Sequence, residues 1–213
     1  MEYLKRLEKP ALIDVMKVPR AIPNGKTDTN NMGPFSSDYI GASWDYPDGD
    51  YVTRQKIWKD HVDYTKGLLY FLTSAPRVPV AIRTELGRWG LAKDEFVDES
   101  NWPHQLYIRE GRRMVGEYVM TQPDVVKNTS KPDAVGMGSY GIDCHHVQRV
   151  VDRDGNVKNE GNLSGRLKVD RYEIPYRSLL PKKMQCENLL VPVCVSASHV
   201  AYGSIRMEPV YMI

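Results

Sequence analysis

Three of the five histidines lie in two clusters whose residue types suit proton transfer. His145 and His146 come shortly after Asp143 in the segment 141–151. If this segment is a strand, Asp143 and His145 share one face, where the carboxylate can fix the tautomer of the imidazole and prepare it to accept a proton. A hydrogen-bonded structural pair is the alternative for the two neighbouring histidines. His199, the third candidate, follows a valine-rich run near the end of the chain.

These clusters do not predict a metal site. Neighbouring side chains on a strand point to opposite faces, so His145 and His146 cannot chelate one ion, and no third ligand lies near them in the sequence. Asp45, Asp48 and Asp50 lack the spacing and the terminal glutamate of an EF-hand. The three cysteines form no Cys-x-x-Cys pair, which argues against a zinc ribbon or a disulfide framework.

The last quarter of the chain combines a predicted buried strand with a loop of small polar residues. Residues 188–195 are almost all apolar, which is typical of a strand covered on both faces. The residues after it include three serines, a histidine, a glycine and an arginine. Open α/β sheets place their ligands beyond the carboxyl ends of such strands, so this loop is a candidate ligand site.

Polar loops and aromatic residues elsewhere provide candidates for binding a polyhydroxylated substrate. Residues 25–31 are turn-prone, and their amides and hydroxyls suit a sugar, although a plain surface loop has the same composition. The predicted substrate-binding residues are Asp28, Asn30, Asn31, Trp44, Tyr176 and Arg177.

Periodicity predicts an α+β fold in which a mixed or antiparallel sheet is packed by helices. Apolar residues at helical spacing predict helices over 51–74 and 79–89, with His61 on the apolar side of the first as a structural residue. A short helix is expected at 122–126 and a hairpin within 151–169, turning at Asp154-Gly155. Strands are expected near 106–119, 141–150, 172–178 and 188–195. We interpret residues 1–213 as one domain with a loop-rich entry (1–50), a helical part (51–100) and a sheet part (101–213).

Composition excludes several classes of partner. The chain has 213 residues, a net charge of +2 and 26% charged residues. Its basic residues are scattered, so there is no electrostatic footprint for nucleic acid or an anionic membrane. No run approaches the ~20 apolar residues of a membrane span. The Asn, Asp and Trp content of the N-terminal loops is the reason to expect a small-molecule or carbohydrate substrate.

Several segments resemble a known family. One reads YEIPYRSLLP from residue 172, and another reads NLLVPVCVSASHVAYGSIRMEP from residue 188. A third, REGRRMVGEYVMT, begins at residue 109. Together they resemble the C-terminal part of FAD-dependent oxidoreductases of the glutathione-reductase-like superfamily. The most similar group is bacterial, and some of its members are labelled xanthan lyase.

The resemblance implies that the chain is the substrate-domain fragment of a flavoprotein. Residues 188–213 would return towards an FAD-binding domain of the same parent chain. FAD would take a hydride from a hydroxyl-bearing, carbohydrate-like substrate while His145, His146 or His199 takes the proton. The N-terminus has no Gly-x-Gly-x-x-Gly pattern, so we expect the fragment alone to bind no FAD and to be inactive. The implied cofactor-binding residues are Ser196, Ser198, Gly203, Ser204 and Arg206.

Two other functions stay open at this point. A polysaccharide lyase needs a tyrosine or histidine base beside an arginine or asparagine that neutralises a uronate, and the chain has 13 tyrosines and many arginines. A non-catalytic carbohydrate-binding module could instead stack sugars on its tryptophans, of which Trp44 is the best placed.

Overall fold

The chain folds into α-helices and small antiparallel sheets, which confirms the predicted α+β class. The computed structural model describes residues 20–28, 37–108, 110–127 and 129–206. Asn30 and Asn31 lie outside these residues. The chain divides into two compact units, Met1–Tyr107 and Ile108–Ile213.

The first unit contains a short hairpin and two helices. Strands β1 (Arg20–Ile22) and β2 (Lys26–Asp28) pair antiparallel. Asn24 (φ 67°) and Gly25 (φ 69°) both adopt the left-handed conformation between them, as a tight hairpin turn requires. Helix α1 spans Tyr51–Ser74 and α2 spans Val80–Leu86. Both predicted helices are confirmed, although α2 ends earlier than expected, with Gly87 as its C-cap.

Local capping explains the start and the end of α1. The Asp50 side chain accepts a hydrogen bond from the Thr53 backbone N–H, the usual arrangement at a helix N-cap. The helix stops just before Pro76, which cannot continue it. The buried core of this unit consists of Leu72, Val78, Ile82 and Leu86.

The second unit is built from short elements. Its helices are α3 (Gln122–Val126) and α4 (His199–Ile205). Its strands are β3 (Ala134–Gly138), β4 (Gln148–Val151), β5 (Val157–Glu160) and β6 (Tyr172–Pro175). β3 pairs antiparallel with β6, and β4 pairs antiparallel with β5. The β4–β5 hairpin turns at Gly155 (φ 81°), so the hairpin predicted within 151–169 is confirmed, although it begins at Gln148. The short helix at 122–126 is also confirmed.

The core of the second unit brings α4 together with β6 and the single-residue parallel bridge between Met120 and Ala197. Its buried members are Met120, Val125, Tyr172, Ile174, Leu179, Val195, Ala197, Ala201, Tyr202 and Ile205. Most of these residues belong to the three segments that resemble the flavoprotein family, which begin at residues 109, 172 and 188. The last quarter of the chain therefore forms much of the core of this unit.

The strand predicted at 188–195 is wrong. The segment is irregular, and Leu189, Leu190 and Val193 are each at least half exposed. Its backbone makes isolated bonds, such as Val191 N–H to the Leu179 carbonyl at 2.9 Å. Pro192 has no N–H to donate and interrupts any ladder. Burial begins only at Val195, which is fully buried.

The strand predicted at 106–119 is also wrong within the residues that are described. Its backbone bonds reach the last quarter of the chain at uneven intervals: Met114 N–H to the Cys194 carbonyl and Met120 N–H to the Ser196 carbonyl. Between these two bonds the chain advances six positions on one side and two on the other, which no regular ladder permits. The strand predicted at 141–150 is wrong over 141–147: these residues, which carry Asp143, His145 and His146, are irregular, and only the part from Gln148 belongs to β4. The alternation of faces assumed for Asp143 and His145 therefore does not apply. The strand predicted at 172–178 ends at Pro175, before a 3₁₀ turn.

Candidate functional site

Residues 141–147, here called the histidine loop, pack against α4 in the second unit. The Asp143 backbone N–H donates to the Gly203 carbonyl at 3.0 Å. Gly203 allows the close approach, because a Cβ there would lie 2.6 Å from the Cys144 sulfur. The loop is therefore held against one face of the helix.

Helix α4 was missed by sequence reasoning, which predicted a polar loop. Ser198 is its N-cap, and its hydroxyl accepts a hydrogen bond from the Ala201 N–H at 3.3 Å. A serine ahead of the apolar run was the available signal. His199 is the first residue of the helix and is half-buried. It lies one turn before Gly203 on the same face, since residues four apart align along a helix.

The two loop histidines differ in their surroundings. His145 has an interaction within the chain. Nδ1 of His146 is buried and has no hydrogen-bond partner among the described residues. Buried polar atoms without a partner are rare in folded proteins, so this nitrogen is a hydrogen-bonding position that the described residues leave open. The sequence alone did not distinguish the two histidines.

Arg206, at the C-terminal end of α4, joins the helix to the histidine loop. Its side chain is 5% exposed. Nη2 donates to the Asp143 carboxylate at 2.8 Å and to the Asp143 backbone carbonyl at 3.2 Å. Nε lies 3.5 Å from Oε1 of Glu110. The guanidinium thus lies between two carboxylates, those of Asp143 and Glu110. The Asp143 carboxylate is the group that was predicted to orient His145.

Two other predicted cofactor-binding residues, Ser196 and Ser204, make hydrogen bonds inside the second unit. Ser196 is buried, and its hydroxyl accepts the Gly116 N–H at 2.9 Å. Ser204 is also buried and donates to the Tyr140 carbonyl, which leaves its oxygen to accept from the Tyr172 hydroxyl at 2.8 Å. Contact of Ser196, Ser198, Gly203, Ser204 or Arg206 with a cofactor stays a prediction.

The predicted substrate-binding residues fall in both units. Asp28 ends β2 and Trp44 is 61% exposed, both in the first unit. Tyr176 (42% exposed) and Arg177 belong to the 3₁₀ turn after β6 in the second unit. Arg177 makes a bidentate pair with Asp133, through Nε at 2.9 Å and Nη2 at 3.1 Å. Substrate binding by these residues stays a prediction.

The Asp133–Arg177 pair gives a testable pH dependence. Hydrogen bonds from the Arg177 side chain lower the pKa of Asp133 from 3.8 to about 2. A lowered pKa in the folded state means that the stabilisation is present above the unfolded value and is lost as the pH falls through about 2. Asp133→Asn should therefore lower the urea midpoint at neutral pH, and the difference from wild type should vanish as the pH approaches 2.

Asp154→Asn, in the β4–β5 turn, is the matched control and should leave the midpoint unchanged at each pH. A difference between Asp133→Asn and wild type that is equally large in acid and at neutral pH would contradict the assignment of this pair.

A buried polar network beside this pair was also missed by sequence reasoning. The Asp124 carboxylate accepts hydrogen bonds from the Tyr118 hydroxyl and the Thr121 N–H, both at 2.7 Å, and pairs with the Lys131 ammonium at 2.9 Å. Burial, followed by the bond to Asp124, raises the pKa of Tyr118 to about 12. Burial acts to raise the pKa of Asp124 as well, but the hydrogen bonds from Thr121, Tyr118 and Lys131 outweigh it and lower the pKa. The Thr-x-x-Asp capping box was the sequence signal.

The first unit has a small groove lined by residues of α1 and the segment 102–106. Its volume is about 130 Å³, well below the roughly 300–1,000 Å³ of typical ligand pockets. His61 lines it, with Nδ1 donating to the Ile57 carbonyl at 2.8 Å. This agrees with the structural role predicted for His61. The lining residues are Trp58, His61, Val62, Thr65, Trp102, Pro103, Gln105 and Leu106.

Neither a metal centre nor a membrane span is found in the part of the chain that the structure describes. No group of three or more histidine, cysteine or acidic side chains there is arranged to hold a metal ion. No helix among the described residues combines the length and the apolar character needed to cross a membrane.

Comparison with known families gives one match. A model described as FAD dependent oxidoreductase matches residues 3–213. The chain belongs to the FAD-dependent oxidoreductase family. No curated protein and no solved structure matches it. The family match spans nearly the whole chain, so membership does not depend on the strand wrongly predicted at 188–195.

The described residues around the glycine-rich segment 136–141 do not form the usual site for dinucleotide phosphates. A Gly-x-Gly-x-x-Gly pattern does occur, at Gly136, Gly138 and Gly141. Its first half lies in β3 and an irregular loop follows, whereas phosphate binding needs the pattern between a strand and a helix N-terminus. Packing explains Gly138, where a Cβ would lie 2.5 Å from the Tyr172 ring.

Proposed function

We propose that this chain forms the substrate side of an FAD-dependent oxidoreductase that oxidises a hydroxyl-bearing, carbohydrate-like substrate. The observation that carries the proposal is the packing of the histidine loop on α4. The loop carries His145 and His146, and the helix begins at His199. Backbone and side-chain bonds between loop and helix bring these proton-transfer candidates into one region of the second unit.

The residues present suit the proton half of an alcohol oxidation. A neutral imidazole accepts the hydroxyl proton as the carbonyl forms, and its ordinary pKa lies near neutral pH. His146, whose buried Nδ1 has no hydrogen-bond partner among the described residues, is one of the three candidates for taking this proton. FAD, when bound, supplies the acceptor for the hydride that leaves the same carbon.

The phosphates of FAD, in this proposal, are held by residues outside the described part of the protein, in an FAD-binding domain of the same parent chain. The support is the lack of a strand–turn–helix phosphate site around Gly136, Gly138 and Gly141. The engaged hydroxyls of Ser196 and Ser204 agree with it, because neither is directed to an outside ligand.

A binding and reduction experiment tests the proposal. The 213-residue chain titrated with FAD should show no tight stoichiometric binding by flavin fluorescence. The parent protein that includes the FAD-binding domain should bind flavin, and a panel of sugars and polyols should bleach its absorbance without oxygen. Tight equimolar binding of FAD by the chain alone would contradict the division between the two parts.

The 213-residue chain and the parent protein also distinguish the two alternative functions, a polysaccharide lyase and a carbohydrate-binding module. A rise in the ultraviolet absorbance of unsaturated uronates, with no flavin present, would replace the oxidoreductase proposal with a polysaccharide lyase. Glycan binding without turnover that is lost in Trp44→Ala would favour a binding module, for which the 61% exposure of Trp44 is the supporting observation. Flavin that is bound but reduced by no hydroxyl compound would overturn the proposed substrate class.

A further inference from the structure

We infer that Arg206 is a positioning residue for the histidine loop, which it holds against α4 through Asp143. The inference rests on the proposed function, because it concerns the same histidines. Arg206 is buried and sits at the end of the helix that begins with His199. It reaches the loop two residues before His145.

The contacts of Arg206 restrain both the backbone and the side chain of Asp143. Nη2 donates to the backbone carbonyl and to the carboxylate of this one residue, and the Asp143 N–H is bonded to Gly203 one turn earlier in α4. Charge-assisted bonds of this kind are about twice as strong as neutral ones. The position of the loop along α4 is therefore set at Asp143.

Further restraints on the loop come from a different part of the unit. The Ser164 hydroxyl accepts the Cys144 N–H and donates to the Cys144 carbonyl, both at 3.1 Å. The Val147 N–H donates to the Glu160 carbonyl at 2.8 Å. These bonds tie the loop to β5 and the segment after it. Loss of the Arg206 side chain should then loosen the loop at α4, where the Asp143 N–H bond to Gly203 is left, while its attachment to β5 remains.

Arginine has a geometric reason to be at this position. Its planar guanidinium fork lies between two acidic residues, with Nη2 donating to Asp143 and Nε at an ion-pair distance of 3.5 Å from Oε1 of Glu110. A lysine ammonium has the same charge but lacks this fork. Arg206→Lys therefore removes the geometry and keeps the charge, which makes it the informative substitution.

The test uses the ¹⁵N-labelled chain and a matched pair of variants. Arg206→Lys should raise the hydrogen-exchange rate of the Asp143 amide about tenfold, the equivalent of one lost charge-assisted bond. It should also shift the ring ¹⁵N resonances of His145 and His146. Arg177→Lys, which alters another bidentate arginine pair in the same unit, should change neither.

Each outcome decides the inference. If Arg206→Lys changes neither the exchange of the Asp143 amide nor the histidine resonances, the inference is overturned. Equal changes in Arg177→Lys would also overturn it, because equal changes in both variants would show a general loss of structure. If Arg206→Lys does not fold, Asp143→Asn removes the same contact at the Asp143 side chain, which is 36% exposed and easier to replace without unfolding the chain. Unchanged ring resonances of His145 and His146 in Asp143→Asn would also overturn the inference. These spectra need no FAD, so failure here differs from failure of flavin reduction, which would count against the proposed function.

Discussion

Replacing Asp124 with alanine should lower the free energy of unfolding of the second unit by roughly 3–5 kcal/mol, the usual cost of removing one partner of a buried ion pair. The side chains of Asp124 and Lys131 are only 9% and 6% exposed. Without the carboxylate, the Lys131 ammonium stays buried with only Thr129 to accept its hydrogen bonds. The Tyr118 hydroxyl and the Thr121 N–H also lose their acceptor.

Urea titration followed by NMR signals of the second unit measures this loss. Tryptophan fluorescence would not, because all four tryptophans lie in the first unit. Lys158→Ala is the control: its ion pair with Asp152 has a 65% exposed lysine, and exposed pairs contribute little. A midpoint for Asp124→Ala equal to that of the control would show that the network is not important for stability.

Gly116→Ala should destabilise the second unit by about 1–3 kcal/mol, the range for an overpacked interior. A Cβ at this position would lie 2.1 Å from the Leu180 carbonyl oxygen. That carbonyl accepts the Glu117 N–H at 3.1 Å, and the Gly116 N–H itself is bonded to Ser196. Displacing the carbonyl therefore disturbs the bonds that join residues 114–120 to the last quarter of the chain.

Gly136→Ala provides the comparison, because no atom lies within 4 Å of a Cβ there. It should leave the urea midpoint unchanged or raise it, since alanine lowers the entropy of the unfolded chain. Equal midpoints for Gly116→Ala and Gly136→Ala would mean that the backbone near Leu180 moves away at little cost, and the close contact would then carry no structural role.

Local patterns predicted the elements whose stability is local. Helix α1 has its cap at Asp50, a helical spacing of apolar residues and a terminating proline within one stretch of sequence, so its bounds were predicted. The β4–β5 hairpin was predicted for the same reason, because its turn is specified by Gly155 and the residues beside it. Where partners lie far apart in the chain, as for residues 106–119, composition did not reveal that the pairing is irregular.

The same difference between local patterns and distant contacts applies to the candidate site. The sequence by itself identified His145, His146 and His199 as candidates for proton transfer, which stays a prediction, and showed that the last quarter resembles a flavoprotein family to which the chain belongs. Only the tertiary structure decided that residues 188–195 are irregular, that a helix begins at His199, and that the histidine loop is bonded to it. Residue type fixes the chemistry that a side chain can perform. Which side chains meet depends on contacts between distant segments, such as the 63 positions between Asp143 and Arg206, and these form only when the chain has folded.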